Sequence, residues 1–478
     1  MLFNSYEFIF LYFPVVFLGF IFIGKHNKSG VVLWLALASI FFYGYWDKKI
    51  LFLLLGSILF NYSSGYLIAE FPKKSRLIFF FSISANLVLL VIFKYANFFI
   101  ETSNTFGTQW SGLDIVLPLG ISFFTFTQIA YLVDVYKGIA HEYNFIDYLL
   151  FVTWFPHLIA GPVLHHKQMM PQFSSPAIYK PNYESISVGL TLFSLGLFKK
   201  VILADNLAPL ANRVFNDAAQ GGLLMIEKAW FGVLAYTLQL YFDFSGYSDM
   251  AIGLSRIFNI KLPLNFDSPY KAANIIDFWR RWHITLSKFL RDYLYVPLGG
   301  NRKGVARRYL NLTVTMLLGG LWHGAGWNFV LWGGLHGLYL VINHTWRKLT
   351  NSTGLAKNMG THTIGVLITF VAVMIAWVPF RATSMSATKN IWSGMIGLNG
   401  SEGDSTTLGW YVVGLVIIWA LPNTQQWLSK YSPAWDKVAV IERFSWQPNR
   451  VLAIITGIIF AASVVYFKKN SQFLYFQF

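Results

Sequence analysis

The sequence predicts an all-α protein that crosses a membrane many times, and three observations carry that prediction. Of its 478 residues, 55% are hydrophobic, 18% aromatic and only 12% charged, with a mean hydropathy of +0.50. A soluble protein of this length carries about twice that charged fraction. Long apolar runs recur at 8–23, 31–46, 51–68, 77–93, 186–198, 230–240, 363–378 and 451–466. Several approach the ~20 residues a helix needs to span hydrocarbon. No polar stretch between the runs is large enough for a soluble domain, so a soluble partner has to be another chain. The pattern predicts roughly ten to thirteen membrane-embedded helices, some short or re-entrant.

The first stretch, "MLFNSYEFIFLYFPVVF", has no basic region ahead of its apolar run and meets its first charge at Glu7, so it reads as a membrane segment and not a cleaved signal peptide. Residues 1–117 then read as hydrophobic hairpins. Lys25 and Lys28 follow the first run, and Lys73, Lys74 and Arg76 the third, while 101–118 has no Lys or Arg. Positive charge gathers in short cytoplasmic loops, so this order predicts an outside N-terminus, with Lys48 and Lys49 against it. The same rule accounts for the net charge of +16 without a nucleic-acid partner.

Residues 118–345 differ, because Pro, Gly, Asp, His and Arg interrupt the apolar segments. Polar groups at membrane depth are expensive and usually face a cavity, which places the function here. In "LQLYFDFSGYSDMAIGLS", Gln239, Asp243 and Tyr247 recur at i, i+4 and i+8 on one helical face, and Ser245 and Asp249 form a second pair. They fit a structural polar stripe or a cavity lining equally. The stretch 256–308 carries eleven Lys/Arg against three Asp/Glu. Its interleaved aromatics predict an interfacial helix, pinned by Asp277–Arg281 and Lys288–Asp292 pairs. The alternative is a landing site for a phosphate-bearing ligand on Arg280, Arg281, Lys288 and Arg291; spacing alone favours the anchor.

His283 falls within that helix, with Ser287 at i+4. Forty residues on, "GGLWHGAGWNFVLWGGLHG" holds His323 among glycines that allow a backbone or a ligand to approach closely, with Trp322 and Trp327 as apolar walls. In such surroundings a histidine is expected to stay neutral, as a general base must. Taken alone, a core histidine bonded to a helix carbonyl fits better. His336 lies about 220° round a straight helix from His323, which argues against a two-histidine metal grip. His157, His165 and His166 lack acidic neighbours, and no H-E-x-x-H occurs, so no metal site is expected. The absence of cysteine excludes disulfides, thiolate nucleophiles and zinc–thiolate sites. Neither a G-x-S-x-G elbow nor a G-x-x-x-x-G-K-[ST] loop is present. Residues 346–478 return to spanning segments joined by polar loops at 351–361, 381–408 and 424–450.

The stretches "DFWRRWHITLSKFLRDYLYVPLGGNR" and "NLTVTMLLGGLWHGAGWNFVLWGGLHG" resemble the membrane-bound O-acyltransferase superfamily, in its bacterial alginate O-acetyltransferase (AlgI)-like branch. "LPLGISFFTFTQIAYLVDVYKG", "FPHLIAGPVLH", "LFKKVILADNLA", "YTLQLYFDFSGYSDMAIGLS" and "WVPFRA" support it. The resemblance is dense over 117–345. It implies one membrane-embedded unit over 1–478, with helices around a central tunnel to a buried histidine, in the cytoplasmic (inner) membrane of a bacterium. His323 matches the family's signature histidine and His283 its second polar position. The reaction the resemblance implies is acyl transfer from cytoplasmic acetyl-CoA, held by the Arg-rich stretch and not permanently bound. His323 would be general base, His283 would orient the acyl group or donate to the oxyanion, and Trp322, Trp327, Asp205, Asp243 and Tyr247 would line the substrate path. The acceptor would be an exported polysaccharide or peptidoglycan, reached directly or through a periplasmic SGNH-type transferase. Two rivals stand beside it: D-alanyl transfer to teichoic acid, and a non-enzymatic polysaccharide or lipid translocator.

Overall fold

The computed structural model describes residues 1–141, 144–350, 359–401, 408–442, 445–467 and 473–474. The segments of the predicted loops at 351–358, 402–407 and 443–444 lie outside the described residues. Every regular element among the described residues is a helix, one of the two ways a chain can satisfy its backbone groups within lipid. Among the described residues four helices are long and apolar enough to cross a membrane: Lys48–Glu70, Ser75–Asn104, Tyr183–Ala219 and Gly360–Arg381. Shorter apolar helices run over Phe8–Gly24, Lys28–Gly44, Ile121–Tyr136, Gly409–Ala420 and Arg450–Val465.

In chain order the α-helices are α1 (Phe13–Gly24), α2 (Lys28–Gly44), α3 (Lys48–Glu70), α4 (Ser75–Leu90), α5 (Ala96–Asn104), α6 (Ile121–Tyr136), α7 (Phe145–Thr153), α8 (His166–Ser174), α9 (Tyr183–Phe198) and α10 (Asp205–Ala219). They continue with α11 (Ile226–Ile257), α12 (Ile275–Arg281), α13 (Ile284–Leu290), α14 (Gly304–His323), α15 (Trp327–Thr350), α16 (Met359–Arg381), α17 (Met385–Met395), α18 (Gly409–Ala420), α19 (Thr424–Trp427) and α20 (Arg450–Val465). Wide π-type turns over Val91–Tyr95 and Lys199–Ala204 carry α4 into α5 and α9 into α10.

α11 is the axis of the molecule. Its 32 residues span about 48 Å at 1.5 Å per residue, and from Ala235 to Ile257 every side chain is buried. A helix buried on all sides is a core helix, and the polar residues it carries have to find partners inside the bundle. It packs antiparallel on α9 through two glycine pairs: a Cβ on Gly189 would lie 2.5 Å from the carbonyl oxygen of Gly253, and one on Gly196 2.5 Å from that of Gly246. Small residues at seven-residue intervals bring the two backbones together, the usual device where lipid gives no hydrophobic drive to helix association.

Basic residues meet at one end of the bundle. Lys28 Nζ donates to the Ser174 carbonyl at 2.6 Å, Arg256 lies 3.6 Å from Glu184, and Lys271 donates to the Leu421 carbonyl at 2.7 Å. At the opposite end the α10–α11 connection meets α17 and its sequel: Asn390 donates to the Ala218 carbonyl, Trp230 to that of Met395, and the Ile226 N–H to that of Gly400. The stretch 381–408, expected as loop, therefore contains a helix, because Ser384 caps it by accepting from the Ala387 N–H.

The α14–α15 hairpin follows the same small-residue logic. A Cβ on Gly320 would lie 2.2 Å from the Phe329 carbonyl oxygen, and one on Gly333 2.3 Å from that of Met316. Of the glycines around His323, Gly320 admits the backbone of α15 and Gly324 the Phe329 ring. We therefore expect Gly333→Ala to lower the thermal stability of the detergent-solubilised protein by about 1–3 kcal/mol through overpacking. Gly334→Ala, whose Cβ would meet only a Leu317 methyl at 3.6 Å, should stay within about 0.5 kcal/mol of wild type.

Candidate functional site

Two chain breaks create the site. α14 stops at His323, and the extended Gly324 turns the chain through Ala325 and Gly326 into α15. α12 stops at Arg281, and His283 adopts the left-handed region (φ +43°) before α13 begins. His283 is therefore not inside a helix, as its spacing with Ser287 predicts, but at a kink between two. For a non-glycine residue that backbone costs on the order of 1–3 kcal/mol and persists only where the surroundings over-determine it. Asn265 supplies the constraint: its carbonyl accepts from the Ile284 N–H at 2.9 Å, and its side-chain oxygen accepts from the Thr285 hydroxyl at 2.6 Å. The Thr285 hydroxyl accepts in turn from the Val163 N–H at 3.0 Å.

The two breaks bring the histidines together. The His283 and His323 rings lie 6.4 Å apart, both buried. Around His323 stand Trp322 at 4.8 Å, Trp332 at 5.0 Å and Phe380 at 5.1 Å between ring centroids, and Phe244 stands edge-on to His283 at 4.9 Å. His336 joins the same wall, 4.8 Å from Trp332 and 5.1 Å from Trp279. These surroundings are carbon-rich, so the polar groups they hold are few and directed.

Two cavities flank this cluster. One, of about 120 Å³, is bounded by Lys94, Gly120, Ser122, Ile159, Trp322 and His323 among others. The other, of about 650 Å³, is walled by Trp327, Phe98, Asn328, Phe329, Phe380 and Arg381 at the less basic end. Phe380 closes the gap between it and His323. Trp327 is exposed at its mouth beside Phe98, while Trp322 is buried against Phe126.

The expected phosphate-binding cations are largely engaged within the chain. Arg281 pairs with Asp277 at 2.9 Å, as the spacing predicts. Lys288 pairs with Asp436 at 2.7 Å and not with Asp292, which is held by Arg291 through two bonds of 2.7 and 3.1 Å. The reason is the π-type turn over Arg291–Tyr295, which breaks the i,i+4 register that a continuous helix would give. Arg280 is exposed.

Asp205, Asp243 and Tyr247 gather at a separate buried knot. Lys200 Nζ lies 2.7 Å from Asp243 and 3.0 Å from Asp205, and Asp243 also accepts from the Leu474 N–H at 3.0 Å. Phe473 lies under the Lys200 ammonium at 4.9 Å and edge-on to Tyr247 at 4.6 Å. Lys199 and Asp249 make a second pair at 2.6 Å, which Gln425 joins at 3.0 Å. The polar face of α11 thus meets the π-type turn over Lys199–Ala204.

Sequence reasoning missed Asn265 and Thr285, and it missed Lys94 and Tyr95, which contact the end of α14. Lys94 carried a signal: it is the lone charge between Arg76 and Glu101.

Comparison with known proteins points the same way. The model of the "MBOAT, membrane-bound O-acyltransferase family" matches residues 133–385, which contain both histidine breaks. A "Peptidoglycan O-acetyltransferase" of Helicobacter pylori is 45% identical over 433 residues, covering 84% of this chain and 80% of that protein. A "Probable alginate O-acetylase AlgI" of Pseudomonas aeruginosa is 42% identical over 407 residues, covering 83% and 75%. A "Teichoic acid D-alanyltransferase" of Streptococcus thermophilus is 29% identical over 287 residues, covering 55% and 68%.

The Lys200 knot gives a direct test of what is structural here. Lys200→Met leaves the buried Asp243 and the partly buried Asp205 without their cation, and breaking a buried pair on one side costs about 3–5 kcal/mol. We expect a matching loss in melting temperature and folded yield, read by fluorescence-detected size exclusion.

Proposed function

Because the chain belongs to the membrane-bound O-acyltransferase family and is an O-acyltransferase, we propose that it moves an acetyl group from cytoplasmic acetyl-CoA to a hydroxyl on the opposite side of the bacterial inner membrane, with His323 as general base. The observation that carries this reading is the meeting of His323 and His283. They are two buried imidazoles 6.4 Å apart, each at a chain break, beside a cavity that touches one of them.

The basic end of the bundle is the cytoplasmic one by the charge rule, so the 650 Å³ cavity opens on the outside. The donor thioester enters from the basic side. The acceptor hydroxyl enters past Trp327 and Phe98, aromatic surfaces of the kind that suit a sugar ring, with Asn328, Thr383 and Ser384 as hydrogen-bonding groups. In the transfer, the hydroxyl oxygen attacks the thioester carbonyl carbon while His323 takes its proton. His283 donates to the oxyanion of the tetrahedral intermediate, which collapses with loss of the coenzyme A thiolate. That thiolate recovers the proton from His323. Positioned acid–base help of this kind contributes about 10²–10⁴-fold.

The acceptor is an exported polysaccharide or peptidoglycan, as the names of the relatives suggest, reached directly or through a periplasmic SGNH-type partner. The identities of 45% and 42% to O-acetylating relatives, against 29% to a D-alanyltransferase, favour acetyl over D-alanyl as the cargo.

Washed membranes supplied with labelled acetyl-CoA test the reading. His323→Ala is expected to cut acetyl incorporation by about 10²–10⁴-fold, and His283→Ala by about 10²-fold. A parallel arm with D-alanyl carrier protein should give no transfer. Full incorporation by His323→Ala would point instead to a translocator.

A further inference from the structure

The end of α14 is held by a cation that this mechanism does not use. Lys94 is the one charge in a 24-residue apolar stretch, from 77 to 100. Its side chain turns inward to the wall of the cavity that touches His323. A charge at such depth is costly and marks function more often than packing.

Its contacts account for the last turn of α14. A helix leaves its last four carbonyls without intrahelical partners. Here the Gly320 carbonyl accepts from the Gly324 N–H at 3.4 Å, and the Leu321 carbonyl accepts from the Tyr95 hydroxyl at 3.0 Å. Lys94 Nζ donates to the Trp322 carbonyl at 2.5 Å and lies 3.4 Å from both the His323 carbonyl oxygen and Ser122 Oγ. All four carbonyls are thereby met, three of them by two consecutive residues. Neighbours on a regular helix point about 100° apart; the π-type turn over Val91–Tyr95 is where both reach one target, and such turns are frequent at functional sites. The cation is matched to the negative end of the helix dipole and lies 5.9 Å over the Trp322 ring. Among the described residues no carboxylate is within ion-pair distance of it. Its partners are the helix end, the Ser122 hydroxyl and that ring.

We infer that Lys94, with Tyr95, is a positioning residue for the transfer reaction: it ties off the C-terminal carbonyls of α14 and so fixes the direction in which the His323 ring faces the cavity. This rests on the reading of His323 as the base. Removing the tether takes the Lys94 hydrogen bonds from the last two carbonyls of α14, which frees the last turn to shift and swing His323 away from the reacting atoms.

The experiment compares wild type, His323→Ala, Lys94→Met, Lys94→Arg and Tyr95→Phe in washed membranes. Labelled acetyl-CoA is titrated and the rates are normalised to folded protein. Lys94→Met should lower the maximal rate by about 10- to 100-fold, the scale of an ångström of misplacement. The half-saturating acetyl-CoA concentration should move by less than about twofold, since a uniform binding loss would instead appear there. Lys94→Arg should recover most of the rate, and Tyr95→Phe should lose about fivefold, the loss of one neutral hydrogen bond.

A wild-type maximal rate in Lys94→Met, or a change confined to the half-saturating concentration, overturns the inference. So does failure of arginine to rescue. If Lys94→Met does not fold, Tyr95→Phe decides: a wild-type rate overturns the inference and the fivefold loss upholds it. If His323→Ala is inactive while Lys94→Met runs at full rate, only the tether fails. If His323→Ala is active, the reading of the base fails instead.

Discussion

A helix that ends inside a bilayer has to find partners for its last carbonyls, and the architecture around His323 follows from that constraint. Here the chain itself supplies them: a main-chain N–H, a phenol and an ammonium. The break is worth this cost because a continuous helix would bury the His323 ring among side chains on every side. At a terminus the ring gains a cavity on one flank. The break at His283 obeys the same logic by another route: a left-handed residue held by Asn265 and Thr285 lets the chain dip to the depth of His323 and turn back.

The rest of the bundle makes those two breaks rigid. α11 and α9 approach through glycine pairs, and so do α14 and α15, so that the backbones carrying the site are set against each other directly. The aromatic shell of Trp322, Trp332, Phe380 and Phe244 completes the packing. Interiors packed at this density transmit small displacements instead of absorbing them, which is why a contact behind His323 can matter to a proton transfer in front of it. The Lys200 knot belongs to this scaffold. It locks the polar face of α11 to the π-type turn over Lys199–Ala204 and to the described part of the C-terminal segment.

Much of this was legible in the sequence, for particular reasons. Apolar runs fix the helical class, because a bilayer admits few other solutions. The placement of Lys25, Lys28, Lys73, Lys74 and Arg76 anticipates a basic end, and Lys28 is found there. His323 stands out through its glycines and tryptophans, although those glycines turn out to seat α15. What could not be read were the contacts between distant segments. No local pattern announces that position 283 turns left-handed, since the constraint comes from Asn265, eighteen residues earlier. Nor does helical spacing reveal that a π-type turn sends Lys288 to Asp436 and Asp292 to Arg291. Lys94 could have been flagged as a lone charge, but its target lies more than two hundred residues away.

The central claim is that an acyl thioester and the His323 imidazole meet at one point inside the membrane. A cryo-electron-microscopy structure of the full chain in a lipid nanodisc, with a non-reactive thioether analogue of acetyl-CoA, measures this directly. The account predicts density for the analogue running from the basic end of the bundle, with its acetyl group against the His323 ring and within reach of His283. Density that ends elsewhere, with the His323 ring enclosed by neighbouring helices and no passage reaching it, would contradict the account.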